Sequence, residues 1–254
     1  MPLVEVAGVS KRFGGVQAVN DVSFRVERGM IKAVIGPNGA GKTTLFNMVS
    51  GFVAPDTGTI RLDGHPIHGQ PPHRVAARGV SRTFQNIRLF AQMSALENVM
   101  VGRHLRARSG FLAGMLGLGR ARREDREVRT RALEVMEFLG IAALADADAT
   151  RLAYGQQRAV ELARALASDP ELLLLDEPAA GLNMRETRDL ARLITRVRAR
   201  GITVLLVEHD MSLVMDICDE VLVLSYGEKI ADAEARAVQQ DPQVVRIYLG
   251  EEGC

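Results

Sequence analysis

The chain has 254 residues, of which 47% are hydrophobic and 4% aromatic, with no tryptophan and a formal charge of +1. That is enough for a full core in one large domain, or in one domain with a lobe, and the near-zero charge gives no general case for binding nucleic acid or acidic surfaces. Cys218 and Cys254 stand far apart, which excludes a disulfide framework or a cysteine metal cluster and suits a reducing cytosol. The opening MPLVEVAGVSKRF lacks the apolar core of a signal peptide. No apolar run approaches the roughly 18 residues of a membrane span, so any membrane role is expected to be peripheral.

Residues 3–9 (LVEVAGV) and 19–27 (VNDVSFRVE) alternate apolar and polar side chains, which predicts strands with one exposed face. MIKAVIG, 30–36, predicts a short strand ending in glycine, and KTTLFNMVSG, 42–51, a helix closed by Gly51. GTIRLDG, 58–64, predicts another strand between glycines. PPHRVAARG, 71–79, predicts a short helix with proline at its start, and VSRTFQ, 80–85, a strand or its end. Residues 92–140 are expected to be mostly helical, interrupted at 108–120 (RSGFLAGMLGLGR) by an apolar-tipped loop. Basic residues concentrate at 103–131, where nine Arg meet three acidic residues. ELLLLD, 171–176, and TVLLVEHD, 203–210, are continuous apolar runs of the kind found inside parallel sheets. The helical stretch 185–201 lies between them, which makes a strand–helix–strand crossover. EVLVLSYGEKIA, 220–231, predicts a hairpin around Tyr226–Gly227, and 241–250 a terminal helix. There is no internal repeat.

The stretch LAYGQQR, 152–158, poses a question about ligands. Behind it AVELARALASDP repeats apolar residues at helical spacing, with Val160, Ala163, Leu166 and Ala167 within two turns. Gly155 and Gln156 therefore sit where a helix begins, and a helix start offers unpaired N–H groups to an anion.

One source of such an anion lies in the same chain. GPNGAGKT, Gly36 to Thr43, satisfies the phosphate-loop pattern, and it follows an apolar strand and precedes a helix as that pattern requires. Gly36, Gly39 and Gly41 let backbone N–H groups converge on phosphate oxygens. Lys42 brings a point charge to the β and γ phosphates, and Thr43 offers a hydroxyl to Mg²⁺. Pro37, Asn38, Ala40 and Thr44 complete the candidate nucleotide contacts. In LLLLDEP, Asp176 arrives at the carboxyl end of a buried strand, the ligand edge of a parallel sheet, where it can hold Mg²⁺ through water. Glu177, next to it, can orient or deprotonate a water aimed at the γ-phosphate. His209, after a second such strand, is a candidate γ-phosphate contact.

Phosphate loop, LAYGQQR, LLLLDEP and VEHD, in that order, resemble the nucleotide-binding subunits of ATP-binding cassette (ABC) transporters over nearly the whole chain. The resemblance implies one ATPase domain over 1–254: a P-loop NTPase core with a mostly parallel sheet, an N-terminal antiparallel β subdomain and a helical subdomain at 87–150 that docks on a membrane partner. It implies ATP and Mg²⁺ as cofactors. LAYGQQR stands where the family usually has Leu-Ser-Gly-Gly-Gln, with Ala153 for the serine and Tyr154 for the first glycine. By resemblance, Tyr154, Gly155 and Gln156 face the ATP held by the Gly36–Thr43 loop of a second ATPase subunit in a head-to-tail dimer. Phe13 matches the aromatic that stacks on adenine. Gln85 matches the glutamine that reaches Mg²⁺ and the attacking water, which adds it to Thr43 and Asp176 as a metal contact and to Glu177 and His209 as a catalytic residue. Asn183, in PAAGLN, stands where Asp is usual.

The wording LAYGQQR, LLLLDEPAAGLN, VEHDM and YLG is similar to the ATPases of branched-chain amino-acid uptake systems, closest to the G-type member of the usual pair. That implies an ATPase at the cytoplasmic face of a bacterial inner membrane. Its partners would be a paralogous ATPase, two integral membrane permeases and, indirectly, a periplasmic solute-binding protein, with no nucleic acid. A related urea or short-chain amide importer stands as an alternative. So does a soluble superfamily ATPase acting on nucleic acid, to which the Arg-rich stretch points; such proteins generally carry two cassettes or long insertions. A binding module without turnover is opposed by Glu177 and His209.

Overall fold

The computed structural model describes residues 1–103 and 119–249. The element order begins β1 (Pro2–Phe13), β2 (Val16–Glu27), β3 (Ile31–Ile35), α1 (Lys42–Val49), β4 (Thr57–Leu62), β5 (His65–Pro66), α2 (Pro72–Ala77) and β6 (Val80–Arg82). The helices α3 (Ala95–Gly102), α4 (Gly119–Phe138) and α5 (Tyr154–Leu166) follow. The chain ends with β7 (Leu172–Asp176), α6 (Met184–Ala199), β8 (Thr203–Val207), α7 (Met211–Ile217), β9 (Glu220–Ser225), β10 (Glu228–Glu234), α8 (Ala235–Gln240) and α9 (Pro242–Leu249). Two compact units result: Met1–Arg82 with Glu171 onward, and Thr83–Pro170. The stretch 87–150 lies inside the second, which also takes in α5. The apolar-tipped loop expected at 108–120 falls outside the described residues except for its last two, as does Cys254.

The first unit holds two sheets. A six-stranded sheet runs β10–β9–β3–β8–β7–β6, and a four-stranded sheet runs β2–β1–β4–β5. In the large sheet every neighbouring pair is parallel except the edge hairpin β9–β10. Each residue of β3, β7 and β8 is buried, as expected when both faces of a parallel sheet are covered. Even the lysine at the second position of IKAVI is enclosed: Lys32 is 1% exposed, donates to Arg25 O and Glu220 Oε2 at 2.9 Å, and pairs with Asp232. The small sheet is antiparallel throughout and alternates buried with exposed positions, packing Val4, Val6, Val22, Phe24 and Val26 into the core.

Several elements differ from the sequence expectation in length. β1 and β2 extend to Phe13 and Val16 and meet across Gly14–Gly15. β6 stops at Arg82 instead of running to Gln85, because the carbonyls of Phe84 and Gln85 leave the ladder to bind the Arg158 guanidinium. β8 stops at Val207, and Asp210 caps α7 by accepting from Ser212 N and Leu213 N at 2.9 and 3.2 Å, so Glu208 and His209 leave the strand.

In the second unit α3 begins with a reciprocal cap: Ser94 Oγ accepts from Glu97 N, and Glu97 Oε2 from Ser94 N. α5 begins at Tyr154, one residue ahead of the expected Gly155.

Candidate functional site

Strand register builds the site. Asp176 of β7 pairs with Val207 of β8, and Val207 with Val34 of β3. The three strands end level, so Gly36, Glu177 and Glu208 all emerge at the carboxyl edge of one sheet, where open α/β sheets bind ligands.

From β3 the chain enters the phosphate loop. Gly36 has φ of 148°, and a Cβ there would stand 2.0 Å from Leu224 O; Gly41 has φ of 99°, and its Cβ would stand 2.3 Å from Ala18 O. Both positions admit only glycine, since the conformation is left-handed and a neighbouring backbone fills the space. Asn38, Gly39 and Thr43 are exposed, Pro37 and Thr44 half-buried, Ala40 buried. Lys42 folds back over its own loop, donating Nζ to Gly36 O at 2.6 Å and Pro37 O at 2.9 Å. Burial pushes its ammonium below the ordinary lysine range, and the Glu177 carboxylate opposes that shift. A half-buried lysine on a loop opened by glycines is a setting that fits phosphate oxygens.

Asp176 ends β7 and pairs with Arg82 of β6, Nη2 to Oδ2 at 2.8 Å. The same guanidinium donates to Asn47 Oδ1 at 2.7 Å and Ser50 Oγ at 2.8 Å, both at the end of α1. Arg82 therefore ties the aspartate strand to the helix that follows the phosphate loop. Glu177, half-buried, has φ of 47°, and its N–H donates to Val207 O at 3.0 Å. A left-handed glutamate directly after a strand is a local strain of the kind that gathers at functional sites.

Glu208 is fully buried. Its Oε1 accepts from Ala179 N at 2.8 Å, and its Oε2 accepts from His209 N and Asp210 N at 3.0 and 3.2 Å. One carboxylate thus joins the turn after Glu177 to the turn that carries His209, whose side chain is two-thirds exposed. Neither Arg82 nor Glu208 is singled out by the sequence patterns. The available signal was a charged residue at the inner end of an otherwise apolar strand, Glu208 after TVLLV. Asn183 caps α6 by accepting from Arg185 N and Glu186 N. Asn and Asp cap equally well, so this departure from the family wording costs the helix nothing.

Phe13 ends β1 half-exposed, with Lys11 Nζ 5.6 Å from its ring centre. The structure brings Lys42, Asp176, Glu177 and His209 to one sheet edge. Gln85, Tyr154, Gly155 and Gln156 belong to the second unit. There Gln156 Oε1 accepts from Ala153 N at 3.1 Å, and the Tyr154 hydroxyl accepts from Arg158 Nη2 at 2.9 Å. The tyrosine direction, which the sequence leaves open, is along its own helix toward Arg158, with the residue still 45% exposed.

Among the described residues no group of three His, Cys, Asp or Glu could hold a metal ion by itself. An Mg²⁺ held by a single carboxylate and a hydroxyl, such as those of Asp176 and Thr43, would take the rest of its shell from phosphate oxygens and waters. No helix among the described residues is long and apolar enough to cross a membrane.

The family model described as ABC transporter matches residues 19–180. The chain is 47% identical over 251 residues to a high-affinity branched-chain amino acid transport ATP-binding protein, BraF, of Pseudomonas aeruginosa, covering 98% of each chain. It is similar to the crystal structure of the ADP conformation of an ATP-binding cassette of an ABC transporter, with 32% identity, a TM-score of 0.86 and coverage of 98% of this chain and 99% of that one. It is also similar to a dimeric post-hydrolysis ATP-binding cassette bound to ADP and Pi, with 25% identity, a TM-score of 0.77 and coverage of 92% and 99%.

Proposed function

Because the chain belongs to the ABC transporter family of ATP-hydrolysing subunits, we propose that it powers uptake of branched-chain or other hydrophobic amino acids through membrane permeases. The observation that carries this reading is the level ending of β3, β7 and β8, which gathers the phosphate cradle, Asp176, Glu177 and His209 at one edge. The amino-acid class rests on the 47% identical relative.

In this reading Gly36–Thr44 wraps the phosphates of ATP, with Lys42 leaving its own carbonyls for the β and γ oxygens. Phe13 lies against the adenine. Thr43, Asp176 and Gln85 would hold Mg²⁺, which would neutralise phosphate charge. Glu177 orients a water and takes its proton as the water oxygen bonds to the γ-phosphorus and the bond to the β-γ bridging oxygen breaks. ADP and inorganic phosphate leave. His209 contacts the γ-phosphate, held in place by the Glu208 hydrogen bonds to its turn. The start of α5, Tyr154–Gln156, meets the γ-phosphate held by a second, paralogous ATPase in a head-to-tail dimer, as an N-terminal helix end suits an anion. Two permeases dock on the helical region 87–150, a periplasmic binding protein delivers solute, and the subunit works at the cytoplasmic face of the inner membrane.

The test is Glu177→Gln in the complex purified with its permeases and reconstituted with labelled leucine. The side chain keeps its shape and loses its base, so turnover and uptake should fall by roughly 10²–10⁴ while ATP still binds. Parental turnover in that variant overturns the role of Glu177. ATP turnover that no branched-chain or other hydrophobic amino acid stimulates overturns the substrate class.

A further inference from the structure

Three charged side chains of α5 are largely removed from water: Arg158 is 9% exposed, Glu161 2% and Arg164 16%. Their spacing of three residues puts them along one helix face. What they hold is the irregular segment 84–90. Arg158 donates Nη1 to Phe84 O at 2.9 Å and Nη2 to Gln85 O at 2.5 Å. Arg164 donates Nη1 to Arg88 O at 2.6 Å, and its guanidinium lies 5.7 Å from the Phe90 ring centre. Glu161 sits between the two arginines, 3.4 and 3.8 Å from them. Burial pushes its carboxyl pKa up, while both arginines and the N–H groups of Phe84 and Arg88 favour the charged form. The far end of the segment is fixed separately by Asn98 of α3, which accepts from Phe90 N at 2.8 Å and donates to Phe90 O at 3.2 Å.

The guanidinium that grips Gln85 also reaches the Tyr154 hydroxyl at 2.9 Å, and its carbon lies 5.3 Å from the Tyr154 ring centre. One planar fork thus joins the backbone of Gln85 to the first residue of α5. A buried Arg–Glu–Arg row is a weak source of stability, because desolvation offsets most of its attraction. Its value lies in geometry: a guanidinium donates in several fixed directions at once, which an ammonium cannot do.

We propose that Arg158 is a positioning residue that makes the start of α5 and the Gln85 loop move as one body, so that a phosphate meeting Tyr154–Gln156 is felt at Gln85. The inference rests on the trans-nucleotide reading above for its purpose, but the coupling itself can be measured without nucleotide or permease.

The experiment is hydrogen exchange on the full chain, disturbing one end of the link and reading the other. Gln156→Ala removes the side-chain bond to the Ala153 amide. Exchange of the amides at 84–88 should then accelerate by roughly threefold or more, although that substitution touches none of them, while α3 stays unchanged. Arg158→Lys keeps the charge against Glu161 and loses the fork. It should by itself accelerate 84–88 and 153–157 together by about tenfold and abolish the effect of Gln156→Ala on 84–88. Acceleration by Gln156→Ala confined to 153–157 overturns the proposal. So does an Arg158→Lys variant that loosens α3 as much as 84–88, since that is general destabilisation. Should Arg158→Lys fail to fold, the Gln156→Ala comparison decides alone. A failed leucine-uptake test leaves these exchange rates untouched, so the two readings fail separately.

Discussion

The Arg82 guanidinium and the Asp176 carboxylate lie 2.8 Å apart, and neither side chain keeps more than a tenth of its surface in water. The aspartate at the ligand edge is thus partly neutralised by a residue 94 positions earlier. The same arginine is also bonded to Asn47 and Ser50, so the Asp176 strand end is held in register with α1. Arg82→Met should leave a buried carboxylate without its cation and cost about 3–5 kcal/mol in urea unfolding. The pair Arg82→Met with Asp176→Leu should recover most of that stability, because no lone charge remains buried. Turnover should stay lost in both. Equal stability losses in the single and the double variant would show that the ion pair is not what anchors this corner.

Glu208 allows a sharper substitution. Both of its oxygens accept backbone N–H groups, Oε1 from Ala179 and Oε2 from His209 and Asp210. Glutamine is nearly the same size, but whichever way its amide is turned, an NH₂ faces an N–H donor. Glu208→Gln should therefore destabilise the chain by about 1–3 kcal/mol, the cost of an unsatisfied buried polar group. It should also displace the His209 turn, lowering the turnover number by roughly tenfold or more with ATP affinity within about twofold of the parent, since a shift of an ångström at a reacting centre costs that much. Equilibrium ATP binding beside steady-state hydrolysis separates the two effects.

Which parts of this arrangement can be read in advance follows from sequence distance. The phosphate loop, the apolar runs of β7 and β8 and the Tyr226–Gly227 hairpin are local signals, and each appears where its composition places it. The end of β6 is not local: the Phe84 and Gln85 carbonyls just beyond it are taken by Arg158, 74 and 73 residues later. The charged face of α5 is hidden for a similar reason. Val160, Ala163 and Leu166 announce a helix, but charges at 158, 161 and 164 look like its solvent side until 84–90 is seen to cover them. Tyr154 has no readable direction without Arg158. The expected site residues stand in short contiguous motifs and could be named from them. The residues that hold them, Arg82, Arg158 and Glu208, could not, because each has a partner far along the chain, 94, 74 and 29 residues away.

Cys218 makes a pH prediction. Burial first, then repulsion from Asp219 and Glu208, raises its thiol pKa to about 12. The unfolded thiol titrates near about 8.5. The native state therefore favours the neutral thiol: this contribution is fully present below about pH 8.5 and is lost as pH rises toward 12, at up to about 1.4 kcal/mol per pH unit. Alkylation at pH 8 mapped by mass spectrometry should modify half-buried Cys218 much more slowly in the native chain than in urea. Cys218→Ala should flatten the fall in stability between pH 9 and 11. Native alkylation of Cys218 as fast as in urea would contradict the raised thiol pKa.

Gly155→Asp tests the start of α5 as a phosphate-facing end. Gly155 lies in the first helical turn and has no positive φ, so its backbone conformation suits an L-residue such as aspartate. An acidic side chain at that position favours the helix by about 0.3–1 kcal/mol through the exposed N–H groups, and removing a helical glycine helps further. The isolated chain should therefore unfold at the same or higher urea concentration. Its ATP affinity should match the parent, because the Gly36–Thr44 loop is unchanged. In the assembled complex the carboxylate would meet a γ-phosphate across a partly dry seam, where like charges repel by several kcal/mol, on the order of 3–4 at an effective dielectric of 20. Turnover should fall by at least about a hundredfold, at 1.4 kcal/mol per factor of ten. Ala153→Ser, which restores the hydroxyl usual in the family, should leave all three measurements near the parent. A Gly155→Asp complex that hydrolyses ATP at the parental rate would mean that no phosphate approaches this helix end, however well the helix itself tolerates the charge.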